Sequence, residues 1–198
     1  MIRNVVFDMG NVLIHFKPER FIKRMGITDQ QAGQLLIREV FGSVAWSLMD
    51  WGVMDEAACE REVLPRLPEA LRAPARQLIH RWDQPIMPME GMAAFVRRCK
   101  EAGLGIYLLS NASGRLHDYW PDIPGSPLFD GVVVSADHRC VKPMPQIFDY
   151  LLNRFGLAAP ECLFIDDMPI NVAGAMTVGM QGFLFRENVA ELGRRVFG

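Results

Sequence analysis

Short runs of consecutive apolar residues recur along this chain, and each stops abruptly at polar residues. Ile2 to Phe7 ends at Asp8-Met9-Gly10-Asn11, Leu104 to Leu109 at Ser110-Asn111, Gly131 to Val134 at Ser135, and Cys162 to Ile165 at Asp166-Asp167; Gly182 to Phe185 is a further run of the same kind. Short runs without apolar/polar alternation predict strands buried on both faces. Between them the apolar spacing turns helical. Met89 to Ala102 carries Met92, Phe95, Val96 and Cys99 before Gly103, and Pro145 to Phe155 carries Ile147, Leu151, Leu152 and Phe155 before Gly156. Ile170 to Val178 is small and apolar and stops at Gly179. Proline in a first turn and glycine after a last turn mark helix ends. Strands alternating with such helices predict an α/β fold, a parallel sheet with right-handed crossovers.

The segment from about Phe16 to Trp82 breaks that rhythm. It shows helical patterning at Gln30 to Phe41, Asp55 to Leu67 and Leu71 to Trp82 with no strand between them. An all-helical insertion after the first strand is therefore expected, with Pro85, Ile86, Met87 and Pro88 as its return.

Composition narrows the function classes. The chain has 198 residues, 50% of them hydrophobic and 22% charged, enough to bury a real core. A net charge of -2, with basic and acidic residues interspersed, offers no field for nucleic acid. Nothing in the sequence addresses it to a membrane or to export. Cys59, Cys99, Cys140 and Cys162 are widely spaced and form no CxxC or Cys/His ligand pattern, so reduced core thiols and a cytoplasmic location are expected.

Ligands of open parallel sheets bind beyond the carboxyl ends of the strands, which is where the polar residues stand. Asp8, Ser110 with Asn111, and Asp166 with Asp167 follow three of the strands, and Lys142-Pro143 follows soon after another. Each alone is an ordinary turn, cap or surface residue. Together they supply what a carboxylate needs to attack a phosphoryl group. A lysine and an oxygen-ligated cation neutralise charge, while a hydroxyl and turn N–H groups meet the equatorial oxygens.

Four stretches in order carry a family resemblance: Phe7-Asp8-Met9-Gly10-Asn11-Val12-Leu13, Leu108-Leu109-Ser110-Asn111, Val141-Lys142-Pro143 and Phe164-Ile165-Asp166-Asp167. The chain resembles, over essentially its full length, the haloacid dehalogenase superfamily of hydrolases with a small helical cap. Leu116-His117 and Tyr119-Trp120-Pro121 are similar to bacterial phosphatases of the glucose 1-phosphate type. The resemblance implies a Rossmann-like core over residues 1–15 and 87–198 and a cap over residues 16–86. It implies a phosphoric monoester hydrolase acting on a small phosphorylated metabolite such as a sugar 1-phosphate. Asp8 would be the nucleophile that forms an aspartyl-phosphate, with Ser110 and Lys142 holding the phosphoryl group and Met9, Gly10 and Asn111 assisting. The implied cofactor is Mg2+, on Asp8, the Gly10 carbonyl, Asp167 and Asp166, the last as direct ligand or water holder. A monomer or weak homodimer is expected, without nucleic-acid or membrane partners.

One departure stands out. Most phosphatases of this superfamily have a general-acid aspartate two residues after the nucleophile, and that position here is Gly10. A positioned acid typically contributes roughly two to four powers of ten in rate, so substrates whose leaving oxygen is already stabilised should be favoured. Asn11 and His15 are candidates to replace the acid in part. In the cap, Trp46, Met49, Asp50 and Trp51 are candidates to face the substrate, with His117 and Trp120 near the mouth. Carbon–halogen hydrolysis and non-catalytic sugar-phosphate binding are the alternatives. The acid pair Asp166-Asp167 speaks against the first, because such a cluster beside Asp8 needs a cation to stay ionised.

Overall fold

A computed structural model describes residues 1–198. Five parallel strands, β1 (Asn4–Phe7), β2 (Gly105–Ser110), β3 (Gly131–Val134), β4 (Cys162–Asp166) and β5 (Gln181–Leu184), form one sheet in the order β3-β2-β1-β4-β5. In register, Phe7 stands between Leu108 and Ile165. The chain builds outward from β1 to β3, then crosses back to place β4 on the other side of β1. The carboxyl end of β1 is thus the point where the winding reverses and a crevice opens.

Strand alternation sends side chains to two cores. Val5, Phe7, Ile106, Leu108 and Ile165 pack with Met92, Phe95 and Val96 of a helix over Met92–Glu101 and with Leu192 of a C-terminal helix over Val189–Phe197. Val6, Leu109, Val133 and Phe164 pack with Ile147, Phe148 and Leu151 of a helix over Pro145–Phe155 and with Ala175 of a helix over Pro169–Thr177. With both sheet faces covered, the central strands have no polar alternation to show, as the apolar runs implied.

Everything regular between β1 and residue 92 is helical: α1 (Pro18–Arg24), α2 (Gln30–Leu36) with a wider turn over Ile37–Phe41, α3 (Val44–Asp50), α4 (Glu56–Val63) and α5 (Glu69–Arg81). Side-chain caps start three of them: Asp29 accepts from Ala32 N, Ser43 from Trp46 N and Asp55 from Ala58 N. The helix expected over Asp55 to Leu67 ends early as α4, and Pro65 stands in the tighter Leu64–Arg66 turn that follows. Helices α1, α3 and the C-terminal one were not predicted; α3 proves to carry part of the site. No helix is long and apolar enough to cross a membrane.

Candidate active site

Asp8 directly follows β1, and its backbone N–H donates to Ile165 O at 2.9 Å, which fixes it in the crevice. Asp166 ends β4 and is fully buried. Between the two carboxylates lies Lys142 Nζ, 2.7 Å from Asp8 Oδ1 and 2.8 Å from Asp166 Oδ2. The Asn111 side chain holds the Lys142 backbone from both sides, accepting from Lys142 N at 2.8 Å and donating to Lys142 O at 2.9 Å. Through its side chain, Asn111 thus positions the lysine.

Asp166 receives Met168 N at 2.8 Å and Asn171 Nδ2 at 3.2 and 3.1 Å on its two oxygens, besides Lys142. Asp167 is bound on one oxygen only, by Asn11 Nδ2 at 3.1 Å. Asn11 sits at φ 55, a left-handed conformation that asparagine tolerates, and its other amide atom accepts from Phe16 N at 3.1 Å. Asn171 and the orienting role of Asn11 were missed from sequence. Asn171 follows Met168-Pro169 at a helix start, a pattern that reads as ordinary capping.

Burial sets the electrostatics. It pushes Asp8 up to about 7, opposed by the Lys142 charge and reinforced by Asp166. For Lys142, burial disfavours its charge, but Asp8 and Asp166 outweigh that and raise its pKa above the ordinary lysine value. Isolated burial of an ammonium costs several kcal/mol, which two carboxylates within 3 Å offset here. Asp167 is raised by burial, with the Asn11 bond opposing and Asp166 repulsion adding.

Carboxylate oxygens of Asp8, Asp166 and Asp167 lie within 4.8 Å of one another. This all-oxygen, anionic set fits magnesium, which takes few carboxylates and keeps places for water and phosphate. Asp166 is the most fully hydrogen-bonded of the three, which leaves Asp8 and Asp167 as the better donors and Asp166 as the organiser of Lys142.

Above this floor is a cavity of about 440 Å³. Met9, Gly10, Asn11, Asn111 and Lys142 line its base, and Phe16, Trp46, Met49, Ile79, Trp82 and Tyr119 form much of the wall. Met168 and Ile170, both at least half exposed, stand on it as well. Asp50 is the carboxylate that the helical segment contributes. Burial pushes it up to about 7, with Asp8 repulsion adding and Lys142 opposing.

Several expected residues lie elsewhere. Ser110 ends β2 at 1% exposure, and the wall beside it is made by Asn111, Ala112 and Ser113. Trp51, one position past Asp50, turns outward and donates its indole N–H to Arg139 O at 2.7 Å. His117 pairs with Asp137 at the surface and Trp120 packs on Phe129, so neither lines the cavity. His15 also lies outside the lining; burial, then Arg20, hold its pKa below the usual histidine value. Phe16, Ile79, Trp82 and Tyr119 went unrecognised as wall residues because their apolar character reads as core.

Comparison with known proteins adds relatives to this geometry. The family model described as haloacid dehalogenase-like hydrolase matches residues 2–179. The sesquiterpene phosphatase astK of Aspergillus oryzae is 25% identical over 195 residues, 93% of this chain and 90% of that protein. A predicted hydrolase of this family from Porphyromonas gingivalis has the same fold, with TM-score 0.73, 24% identity, and 100% and 99% of the two chains covered. An enzyme of the family from Bacteroides thetaiotaomicron, solved in complex with magnesium and inorganic phosphate, superposes with TM-score 0.71 at 18% identity, covering 97% and 99%.

Proposed function

The chain belongs to the haloacid dehalogenase-like hydrolases, and from that premise we propose that it is a magnesium-dependent phosphatase working through an aspartyl-phosphate on Asp8. The observation that carries this reading is the Asp8–Lys142–Asp166 array at a sheet's reversal point, with Asp167 beside it and a cavity above. A cation held by Asp8 and Asp167, with the Gly10 carbonyl as a further donor, would supply charge neutralisation. Lys142 holds the Asp8 carboxylate oriented and offers its charge to the transferring group. Asn111, by pinning the Lys142 backbone, and Asn171, by pinning Asp166, keep that ammonium in place. Ser110 is retained as a phosphoryl-binding candidate at the end of β2. The helical segment of residues 16–86 acts as a cap whose aromatic residues exclude water from the reacting group. The cysteines are unpaired, which suits a reducing compartment such as the cytoplasm.

For the organic half of the substrate, a sugar 1-phosphate is the reading that the sequence resemblance suggests. The walls favour an apolar group. Away from the floor, the polar side chains in the lining are few, chiefly Asp50, Ser113 and the Tyr119 hydroxyl, against Phe16, Trp46, Met49, Ile79 and Trp82. A sugar leaves several hydroxyls needing partners, whereas an isoprenoid or alkyl chain gains roughly 25 cal/mol per Å² buried. The terpenoid substrate named for the fungal relative supports the same choice. Phosphate release from farnesyl phosphate and from glucose 1-phosphate, each with magnesium, tests it. We expect a higher kcat/KM on farnesyl phosphate and no turnover by Asp8→Asn; the opposite preference would restore the sugar reading.

A further inference from the structure

We infer that Asp50, at the end of α3, is the proton donor and acceptor that replaces the carboxylate missing at Gly10. The inference rests on the phosphatase reading above and concerns which group handles the proton.

The core offers no substitute of its own. A Cβ at Gly10 would stand 3.4 Å from Phe16 Cβ, so the space beside the nucleophile is bordered by an aromatic residue. The ionisable groups lining the cavity are Asp8, Asp50, Tyr119, Lys142 and Asp167. Asp8 is the nucleophile, Lys142 is locked between two carboxylates, and Asp167 is held by Asn11 toward the metal position. Burial, with Asp83 adding, pushes the Tyr119 hydroxyl far above its ordinary value, too weak an acid for the task. Asp50 remains. Its carboxyl faces the cavity and makes no hydrogen bond within the protein, so both oxygens are free for a substrate oxygen or water. The proton affinity that burial gives it lies where acid–base catalysis works well.

Asp50 is also held firmly despite belonging to the helical segment. Its backbone carbonyl accepts Ser135 Oγ at 2.5 Å, and the same hydroxyl oxygen accepts Ala112 N at 3.0 Å, which ties it to the segments after β2 and β3. Trp51 bonds Arg139 O, and Gly52 lies against the Ala136 carbonyl.

In the first step an Asp8 oxygen bonds to phosphorus and the bond to the leaving oxygen breaks, with the Asp50 proton moving to that oxygen. In the second, Asp50 takes a proton from water as the water oxygen bonds to phosphorus. The bond to Asp8 breaks, releasing phosphate and returning Asp50 to its protonated form. Each turnover converts one phosphomonoester and one water into an alcohol and inorganic phosphate.

The test follows p-nitrophenyl phosphate and an alkyl phosphate with magnesium, before and during steady state. Nitrophenolate leaves without a proton, so Asp50→Asn should keep a burst of about one product per site and then turn over about 10²–10⁴-fold slower. On the alkyl phosphate the burst should vanish as well, and Asp50→Glu should recover part of both. A merely structural role would lower burst and turnover together on both substrates, and that result overturns the proposal. So does turnover by Asp50→Asn within threefold of the parent. No turnover by the parent chain on either substrate would instead overturn the phosphatase reading, and this inference with it.

Discussion

At the scale of single residues, the site is a chain of orientation that starts from a neutral amide and runs through three charged groups. Asn171 spans both oxygens of Asp166, Asp166 fixes Lys142, and Lys142 meets Asp8. Asn171→Ala leaves Asp166 with Met168 N and Lys142 alone and frees its carboxylate to rotate. Losing such a supporting partner typically costs 10–100-fold in activity or metal affinity. We expect kcat to fall in that range with KM changed less, and magnesium affinity by titration calorimetry to weaken. Unchanged kcat and affinity would mean that the β4 backbone alone positions Asp166.

At the scale of elements, the turn between α3 and α4 determines whether the helical segment seats on the core. Gly52 has φ +69, and a Cβ there would lie 2.0 Å from the Ala136 carbonyl oxygen. Only glycine lets the two backbones come this close. Gly52→Ala meets a left-handed penalty of about 1–2 kcal/mol, and for a chain of this size 1 kcal/mol shifts Tm by about 2–4 °C. The backbone term alone should lower Tm by about 2–8 °C in a thermal melt, and the clash should add to it. Because the same turn carries Asp50, kcat should fall too. A variant with parental Tm and kcat would show that this turn relaxes without consequence. Helix α3 is only seven residues, VAWSLMD, too short for its periodicity to rise above noise, and its Ser43 cap becomes evident only once the bond to Trp46 N is seen. The parallel sheet itself was legible, because strands buried on both faces must be apolar throughout.

At the scale of the molecule, two carboxylates facing one cavity make stability depend on pH. Asp8 and Asp50 are both raised to about 7, against about 3.9 for an unfolded aspartate. The native state therefore binds these protons more tightly. The stability they contribute is complete below the unfolded value and is lost as pH rises through about 7. Without metal, Tm should drop between about pH 4 and pH 8. The Asp50→Asn side chain cannot ionise, so this variant should melt higher than the parent at pH 8 and close to it below about pH 4. If parent and variant fell in parallel over that interval, Asp50 would not be the strained carboxylate. Added magnesium should raise Tm most at the alkaline end, where Asp8 is ionised.

The sequence by itself determined the strands, their order in the α/β alternation, and the polar residues at their ends, because strand periodicity and chain-breaking turns are local properties. Asp8, Asn111, Lys142, Asp166 and Asp167 could be read that way. Only the tertiary structure decided which face each neighbouring residue shows. Trp46 and Asp50 line the cavity while Trp51 points out, and Phe16 and Trp82 become wall residues as well as core. Asn171 and Asn11 become partners of the acids, and Asp50 comes to share a cavity with Asp8, 42 positions away in sequence. The reason is physical. A side chain's neighbours across a crevice are set by how two separately folded layers pack, and neither layer's own periodicity contains the other.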